Sequence, residues 1–293
     1  MALICAVAFQ TSAQTSDIDK TQQEPRNQKY IVTLGTVQYT HHDEKLSTGE
    51  AVGKILTGVL TGQTSVQATK YEADVKNAII KGLSGAYRFR FKDGQPDLGE
   101  TLPEGSLVVD AIITNINAKS STTTWKDSRD HVQASTTYKG IVETMLTVKD
   151  AKTGEVIANP SLTGSGIEFS SYSTSDEAIR QAIGKLSSNI SAWLNKYKPL
   201  EANIIEGTAA KKDKQKEVYI DLGSSEGAFD GLHLGVFSIK YYGGREAKSQ
   251  IGKIRIEAVV GPDISRCKVQ SGGKDIKAAI DAGEKLRVMT IDK

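Results

Sequence analysis

A long amphipathic segment constrains the fold of this chain more than any other feature. Between about Ser175 and Lys196, apolar residues recur every three or four positions, which places them along one side of a helix. Thr174 and Glu177 have the spacing of a capping box, so the helix is predicted to begin there. The apolar stripe consists of Ala178, Ile179, Ala182, Ile183, Leu186, Ile190, Trp193 and Leu194. Such a stripe must be covered, and we expect a β-sheet beneath it.

The sequence before this helix supplies the strands of that sheet. "KYIVTLGTVQYT", "SLVVDAIITNINAKS" and "GIVETMLTVKDA" are rich in β-branched residues, which is typical of strands. "ATKYEADVKNAIIKGLSG" has helical periodicity, and Gly82 and Gly85 are expected to end that helix. Its predicted buried face is Tyr71, Val75, Ala78, Ile79 and Leu83. Residues 29–198 are therefore predicted to form a mixed sheet with docked helices, an α/β sandwich.

The character of the sequence changes at Lys198-Pro199. From there to residue 293 the sequence consists of short strand-like segments separated by turns, which indicates a small all-β barrel or sandwich. We predict the barrel. The predicted fold class is thus α+β. The predicted divisions are a signal peptide at 1–14, a flexible leader at 15–28, the α/β domain at 29–198 and the barrel at 199–293.

Four glycines spaced by four residues lie in "DLGSSEGAFDGLHLGVFSI": Gly223, Gly227, Gly231 and Gly235. This stretch could be a phosphate loop, a packing face of a membrane helix, or a set of barrel corners. A phosphate loop needs a lysine after its glycines, whereas Glu226 and Asp230 would repel phosphate and are costly in a membrane helix. We therefore interpret the glycines as corners where the backbone needs positive φ or a sharp bend.

The first fourteen residues are uncharged and apolar through Phe9, with small residues following, as in a secretory signal peptide. Cys5 leaves a lipoprotein anchor as the alternative. Export to the periplasm, or association with the outer membrane, is the expectation. Removal of the segment leaves Cys267 as the only cysteine, which we interpret as a buried structural thiol.

No set of residues makes a persuasive catalytic or cofactor site. His41-His42-Asp43-Glu44 could ligate a metal only with a distant partner, and Asp127, Asp130 and His131 share that weakness. We expect no enzyme activity, no cofactor and no metal. The net charge is +2 with basic residues scattered, so nucleic acid is not an expected partner. The basic run at 211–216 is interpreted as a solvated loop, with contact to an anionic surface as the alternative.

A polar hairpin around "WKDSRD" is the leading candidate contact surface. An exposed tryptophan on a loop is a good binding anchor, although Trp125 could equally cover the sheet edge. The candidate contact residues are Trp125, Lys126, Asp127, Arg129 and Asp130. The glycine-rich stretch 47–64 is a second candidate, for a neighbouring subunit or a membrane surface.

The stretch "VKDAKTGEVIANPSLTGSG", followed by the amphipathic helix, resembles the CsgG family of curli-secretion proteins and its relatives LpoB and the amino-terminal domain of TolB. The shared motif falls on Asp150, Thr153, Gly154 and Glu155, with a structural role, and the likeness covers about residues 29–197. Residues from about 200 to 293 resemble the carboxy-terminal β-barrel of FlgT, through the stretch holding Gly223, Gly227 and Gly231.

These resemblances imply a non-enzymatic envelope protein that recruits, stabilises or forms rings, with other envelope proteins or copies of itself as partners. The alternative is an oligomeric outer-membrane channel subunit of the CsgG type. A lipid-facing strand shows an apolar residue at every second position. Ser120, Thr122 and Thr124 alternate with Ser121, Thr123 and Trp125, so the hairpin departs from that pattern.

Overall fold

A computed structural model describes residues 27–40, 71–94, 102–166 and 172–291. The predicted signal peptide, the leader up to residue 26, the 41–44 cluster and the 47–64 stretch lie outside the described residues. The described part contains a mixed sheet with packed helices, followed by a closed six-stranded barrel, so the predicted α+β class is confirmed.

The mixed sheet has the strand order β2-β1-β3-β4-β5, and β6 pairs with β4. β1 is parallel to β2 and β3, whereas β4 is antiparallel to β3, β5 and β6. The elements are β1 (Tyr30–Tyr39), α1 (Glu72–Ser84), β2 (Phe89–Lys92), β3 (Leu107–Lys126), β4 (Val132–Asp150), β5 (Val156–Ala158), β6 (Ser161–Ser165) and α2 (Ser175–Tyr197).

Helix α2 begins and packs as its sequence predicts. The backbone N–H of Glu177 donates to Thr174 Oγ1 at 3.3 Å, which satisfies one free amide of the first turn. Seven of the eight stripe residues are buried, and Trp193 packs half-buried against the same core. The helix lies very close to the sheet, because a Cβ added at Gly140 in β4 or Gly164 in β6 would overlap the backbone of α2.

Helix α1 buries its predicted face, but Gly82 does not end it. The helix continues to Ser84, and Gly85 forms its C-cap. Gly82 instead faces α2, where an added Cβ would lie 2.7 Å from Ile190 Cβ and 2.8 Å from the Ser187 carbonyl oxygen. This glycine is therefore required for close helix–helix contact, and the sequence reading of it as a helix end is wrong.

The barrel has the strand order β10-β11-β8-β7-β12-β9, all antiparallel, and its own cluster of buried residues. Its elements are β7 (Glu201–Lys211), β8 (Lys214–Ile220), a 3-10 turn (Ser224–Glu226), β9 (His233–Tyr242), β10 (Arg245–Val259), β11 (Ser265–Ser271), α3 (Gly273–Asp281) and β12 (Leu286–Thr290). The sequence predicts this part to be entirely β, and helix α3 is not predicted. Only Ile276 and Ala279 of this nine-residue helix are buried, which is too short a pattern to recognise as helical.

Cys267 lies fully buried in the barrel core, as predicted. Burial raises the pKa of its thiol to about 12. At neutral pH the sulfur is therefore protonated and is a packing group rather than a nucleophile.

The α/β part contacts one end of the barrel, where β7 begins. The Asn27 side chain, which the sequence reading places in the leader, is buried there and pairs with the Glu201 backbone at 2.7 and 2.9 Å. The rings of Tyr87 and Phe229 contact each other at 5.6 Å, and Arg88 donates to the Pro199 carbonyl at 3.4 Å. The opposite end of the barrel makes none of these contacts.

Candidate functional site: the β3–β4 arm

The β3–β4 hairpin is much longer than the sheet that it belongs to. Its register is continuous from Leu107↔Asp150 to Lys126↔Val132, apart from one irregularity near Ile113. Alternate residues of the inner half are buried, whereas residues 119–136 are all exposed except half-buried Asp127. We call residues 119–136 the arm. It is a two-stranded ribbon that extends beyond the core.

Asp127 organises the turn at the tip of the arm. Its Oδ1 accepts the backbone N–H groups of Arg129 at 2.9 Å and His131 at 3.0 Å. These two amides, His131 first, hold the pKa of the Asp127 carboxyl below its usual range. Asp130 adopts positive φ (62°) and receives a hydrogen bond from Lys126 Nζ at 2.8 Å. The tip is thus a locally ordered turn that presents charged side chains.

The largest side chain of the tip is available for contact. Trp125 is 50% exposed and Val132 is 69% exposed. They belong to neighbouring pairs, Trp125↔Gln133 and Lys126↔Val132, and so lie on opposite faces of the ribbon. Aromatic side chains are enriched at the centre of protein interfaces and charged ones at the rim, so Trp125 suits the centre of a contact surface and the charges beside it suit the rim.

The rest of the arm is polar on both faces and open at both edges. Ser and Thr dominate its cross-strand pairs, and the Thr122 and Thr136 hydroxyls hydrogen-bond across the ribbon at 2.9 Å. Within the described residues, neither strand of the arm pairs with a third strand. Free edges of this kind can accept an additional strand from a partner.

The residues that carry the sequence resemblance to CsgG lie at the opposite end of β4 from the arm. Asp150 Oδ1 accepts the N–H groups of Lys152 at 2.9 Å and Thr153 at 2.8 Å, and the Thr153 amide is the main cause of a lowered Asp150 pKa. Gly154 has φ of +73°, and Glu155 N–H donates to Thr153 Oγ1 at 3.2 Å. The motif shapes the β4–β5 turn.

The glycine stretch of the barrel has its amides occupied by carbonyl oxygens. Ser224, Ser225 and Ala228 donate to Gly261, Pro262 and Gly223 at 3.2, 2.9 and 3.0 Å. Since these N–H groups point at protein oxygens, the turn does not present them to a phosphate.

Glycine is required at these four positions for different structural reasons. Gly227 and Gly231 have φ of +97° and +92°, and a Cβ at Gly223 would overlap the backbone at Pro262. Gly235 is not a corner: it lies within β9, where an added Cβ would be 2.8 Å from Ile291 and Phe237 side-chain carbons.

The other kinds of site that the sequence could suggest have little geometric support. In the portions 27–40, 71–94, 102–166 and 172–291, no three His, Cys, Asp or Glu side chains are grouped to hold a metal. Asp127 Oδ2 and His131 Nδ1 are 3.6 Å apart at the exposed tip. A groove of about 950 Å³ between α2 and the barrel is lined by Lys185, Lys196 and Tyr87 but by no carboxylate or histidine. No helix within the described residues is long and apolar enough to cross a bilayer.

A second exposed hairpin is formed by the outer ends of β9 and β10, and it is not among the predicted contact surfaces. Residues 240–250 are all exposed, with Tyr241 at 59% and Tyr242 at 66%. Gly243 and Gly244 both have positive φ, as a two-residue hairpin turn requires. The Gly-Gly pair between two β-rich runs is the signal that could have revealed it.

Comparison with known proteins gives no family. No protein-family model matches the chain, and no curated protein matches it significantly. A neuraminyllactose-binding hemagglutinin homolog from Helicobacter pylori has 12% identity, a TM-score of 0.26 and coverage of 59% of this chain and 84% of that one. Protein CT253 from Chlamydia trachomatis has 13% identity, a TM-score of 0.27 and coverage of 56% and 99%. TolB from Acinetobacter baumannii has 10% identity, a TM-score of 0.23 and coverage of 83% and 61%. Scores this low assign neither a fold family nor a function.

Proposed function

We propose that this chain is a non-enzymatic, exported envelope protein. It acts by protein–protein contact in the assembly or stabilisation of an envelope or secretion structure, and the arm is its contact surface. The observation that carries the proposal is the extension of β3 and β4 beyond the core. The signal-like apolar amino terminus and the resemblance to CsgG, LpoB and FlgT support the envelope location.

Folding energetics support a contact role for the arm. An isolated two-stranded hairpin is marginally stable in water, because its hydrogen bonds replace equivalent bonds to water and it buries little apolar surface. The arm buries no large side chain of its own, so it adds little to the stability of the fold. A partner that pairs with its edges or covers Trp125 supplies the missing burial.

The chemistry of the remaining candidate groups supports a non-enzymatic role. The thiol of Cys267 is buried and protonated, and the glycine-turn amides are bonded to carbonyls. The groove beside α2 lacks a paired acid and base among its lining residues. The Cys267 thiol thus contributes to packing, and the glycine-turn amides contribute to turn formation.

Photo-crosslinking from the arm tests the proposal. We would replace Trp125 with a benzophenone amino acid in cells that make the full chain, and Tyr242, a comparably exposed aromatic of the barrel, in a matched control. The expected result is a discrete adduct with an envelope protein or a second copy of the chain, formed from position 125 only. Excess unlabelled wild-type chain should compete the adduct away. Absence of an adduct above the control would refute the arm as a contact surface.

The second candidate, a channel subunit, receives less support from the arm. Both faces of the ribbon carry Ser and Thr, whereas a bilayer-facing strand needs one apolar face. Light scattering of the chain without detergent separates the two functions. We expect a monomer or small oligomer, and a large ring that requires detergent would favour the channel.

A further inference from the structure

The end of the barrel away from the α/β contacts is strongly basic. β7 and β9 run in the same direction, since both are antiparallel to β12, so their hairpin turns lie at the same end. Helix α3 begins at that end too, where Lys274 pairs with Asp213 at 2.6 Å. We call this surface the basic end. It is formed by residues 211–216, 240–248 and 274–285, which carry ten basic and five acidic side chains.

Ten basic against five acidic side chains is a large local excess in a chain whose net charge is only +2. Several of the acidic side chains are also already paired with basic ones. Glu246 lies 3.2 Å from Arg287 and 3.4 Å from Lys248, and Asp281 lies 2.8 Å from Lys277. In the described parts of the chain, no ion pair engages Lys240 or Arg245, nor the lysines of 211–216. The basic end therefore presents unneutralised positive charge.

The β9–β10 hairpin adds aromatic side chains to this charge. Tyr242 is directly opposite Arg245, and Lys240 lies on the same face two positions earlier. Tyr241 lies on the other face, where its hydroxyl donates to Glu246 at 3.3 Å. A tyrosine ring with an apolar body and a polar tip is suited to the boundary between lipid headgroups and acyl chains.

We propose that the basic end binds the surface of an anionic lipid bilayer. Tyr242 enters the headgroup layer, and the surrounding lysines and Arg245 lie against the headgroup phosphates. This contact goes beyond the proposed function and uses a surface different from the arm.

The distribution of the charge favours a surface over a single bound anion. The hollow at the start of α3 is shallow, and its buried Gln215 already donates to Ala209 at 3.2 Å and Glu217 at 2.7 Å. Lys274, beside it, is paired with Asp213. The unpaired cations are instead spread over two hairpins, which matches a layer of many headgroups.

Vesicle flotation of the full chain tests this inference. Vesicles of phosphatidylcholine containing phosphatidylglycerol should bind it, and pure phosphatidylcholine vesicles should not. Each cation near an anionic surface contributes about fivefold in affinity, so K240Q/R245Q should bind roughly 30-fold more weakly. K76Q/K81Q, which removes two exposed cations from helix α1, is the matched control and should change binding less than about twofold. Tyr242→Ser should also weaken vesicle binding relative to the wild type, although it leaves the charge unchanged. All these positions are exposed, so unchanged far-UV circular dichroism is expected.

Three results would overturn the inference. One is equal binding to neutral vesicles, and another is an equal loss of vesicle binding in K76Q/K81Q. The third is release of the chain from vesicles by inorganic phosphate at an ionic strength at which chloride leaves it bound, which would indicate a specific anion site. Crosslinking from position 125 in the arm is independent of all three results, so failure of this inference leaves the proposed function in place.

Discussion

The inner and outer halves of one hairpin differ in what they do for the protein. Val109, Ala111, Val142 and Leu146 of the inner half are essentially inaccessible to solvent and form the core beneath α2. The arm continues the same strands and the same ladder, yet its side chains are exposed. Strand pairing therefore continues where packing has stopped. Folding energy therefore resides in the inner half, and the outer half is available for binding.

The largest effect is expected at the contact between the inner half and α2. Gly140→Val should lower the free energy of unfolding by about 3 kcal/mol or more, because its Cβ would overlap the Ala178 carbonyl rather than a movable side chain. Urea unfolding measures this. Gly184→Ala in α2 is the control, since nothing lies near its added Cβ and it should stabilise by about 0.5–1 kcal/mol. Equal effects at the two glycines would contradict the packing argument.

A smaller loss is expected when the polar support of the inner half is removed. Asp110 accepts hydrogen bonds from Thr36 N at 2.7 Å, Thr36 Oγ1 at 2.9 Å and Lys149 Nζ at 2.7 Å. Asp110→Asn should cost about 1.5–3 kcal/mol, because bonds to a charged acceptor are lost. Burial alone would raise the Asp110 pKa, but Lys149 and Thr36 outweigh it and lower the pKa.

The sign of the pH dependence follows from that lowered pKa. The stability that Asp110 contributes is fully present above the pKa of its carboxyl in the unfolded state, about 4. It is lost as the pH falls through the lower pKa of the folded state. The wild type should therefore lose more stability than Asp110→Asn between neutral pH and pH of about 3. Parallel losses in the two proteins, measured by urea unfolding, would show that Asp110 is not the titrating group.

Substitution in the arm should separate binding from stability. Trp125→Ala should change the free energy of unfolding by less than about 0.5 kcal/mol, because the ring is half exposed and lies outside the core. Binding of the crosslinked partner should weaken about 30-fold or more, as for a central aromatic anchor. Isothermal titration with the purified partner measures the binding, and Tyr242→Ala should leave it unchanged.

The smallest effect is expected at the tip of the arm. Asp127→Ala removes the acceptor of the Arg129 and His131 amides, so the turn should open locally without global unfolding. Hydrogen exchange at these two amides should become faster, while exchange in β4 near Leu146 stays slow. Faster exchange throughout β4 would mean that the tip is coupled to the core.

The sequence predicts the elements that are marked by long patterns of apolar residues or turns. Helix α2 follows from its stripe and its Thr174 cap, and the change to short strands after Pro199 indicates the barrel. The roles of single glycines are harder to predict, because Gly82 lies against Ile190 and Gly235 against Ile291, both distant in the sequence. Helix α3 is too short to show a period.

The candidate site is predictable only in part. The hairpin and its turn near residues 126–131 are visible as a polar run between strands. Its extension beyond the sheet depends on where α2 and the neighbouring strands end, which is a tertiary property. The β9–β10 hairpin is local and could be predicted from Gly243-Gly244, but the basic end arises from topology that brings three separate segments together. The run at 211–216 alone therefore does not reveal the full extent of the basic surface.

Removal of the arm tests the central claim most directly. Residues 122–136 would be replaced by Asn-Gly, which closes the Ser121↔Thr137 pair with a two-residue turn and leaves the Tyr138↔Tyr172 bridge intact. The free energy of unfolding should remain within about 1 kcal/mol of the full chain, since shortening a loop changes closure entropy little, while partner binding is abolished. A loss of several kcal/mol, or retained binding, would contradict the assignment of the arm to contact rather than folding.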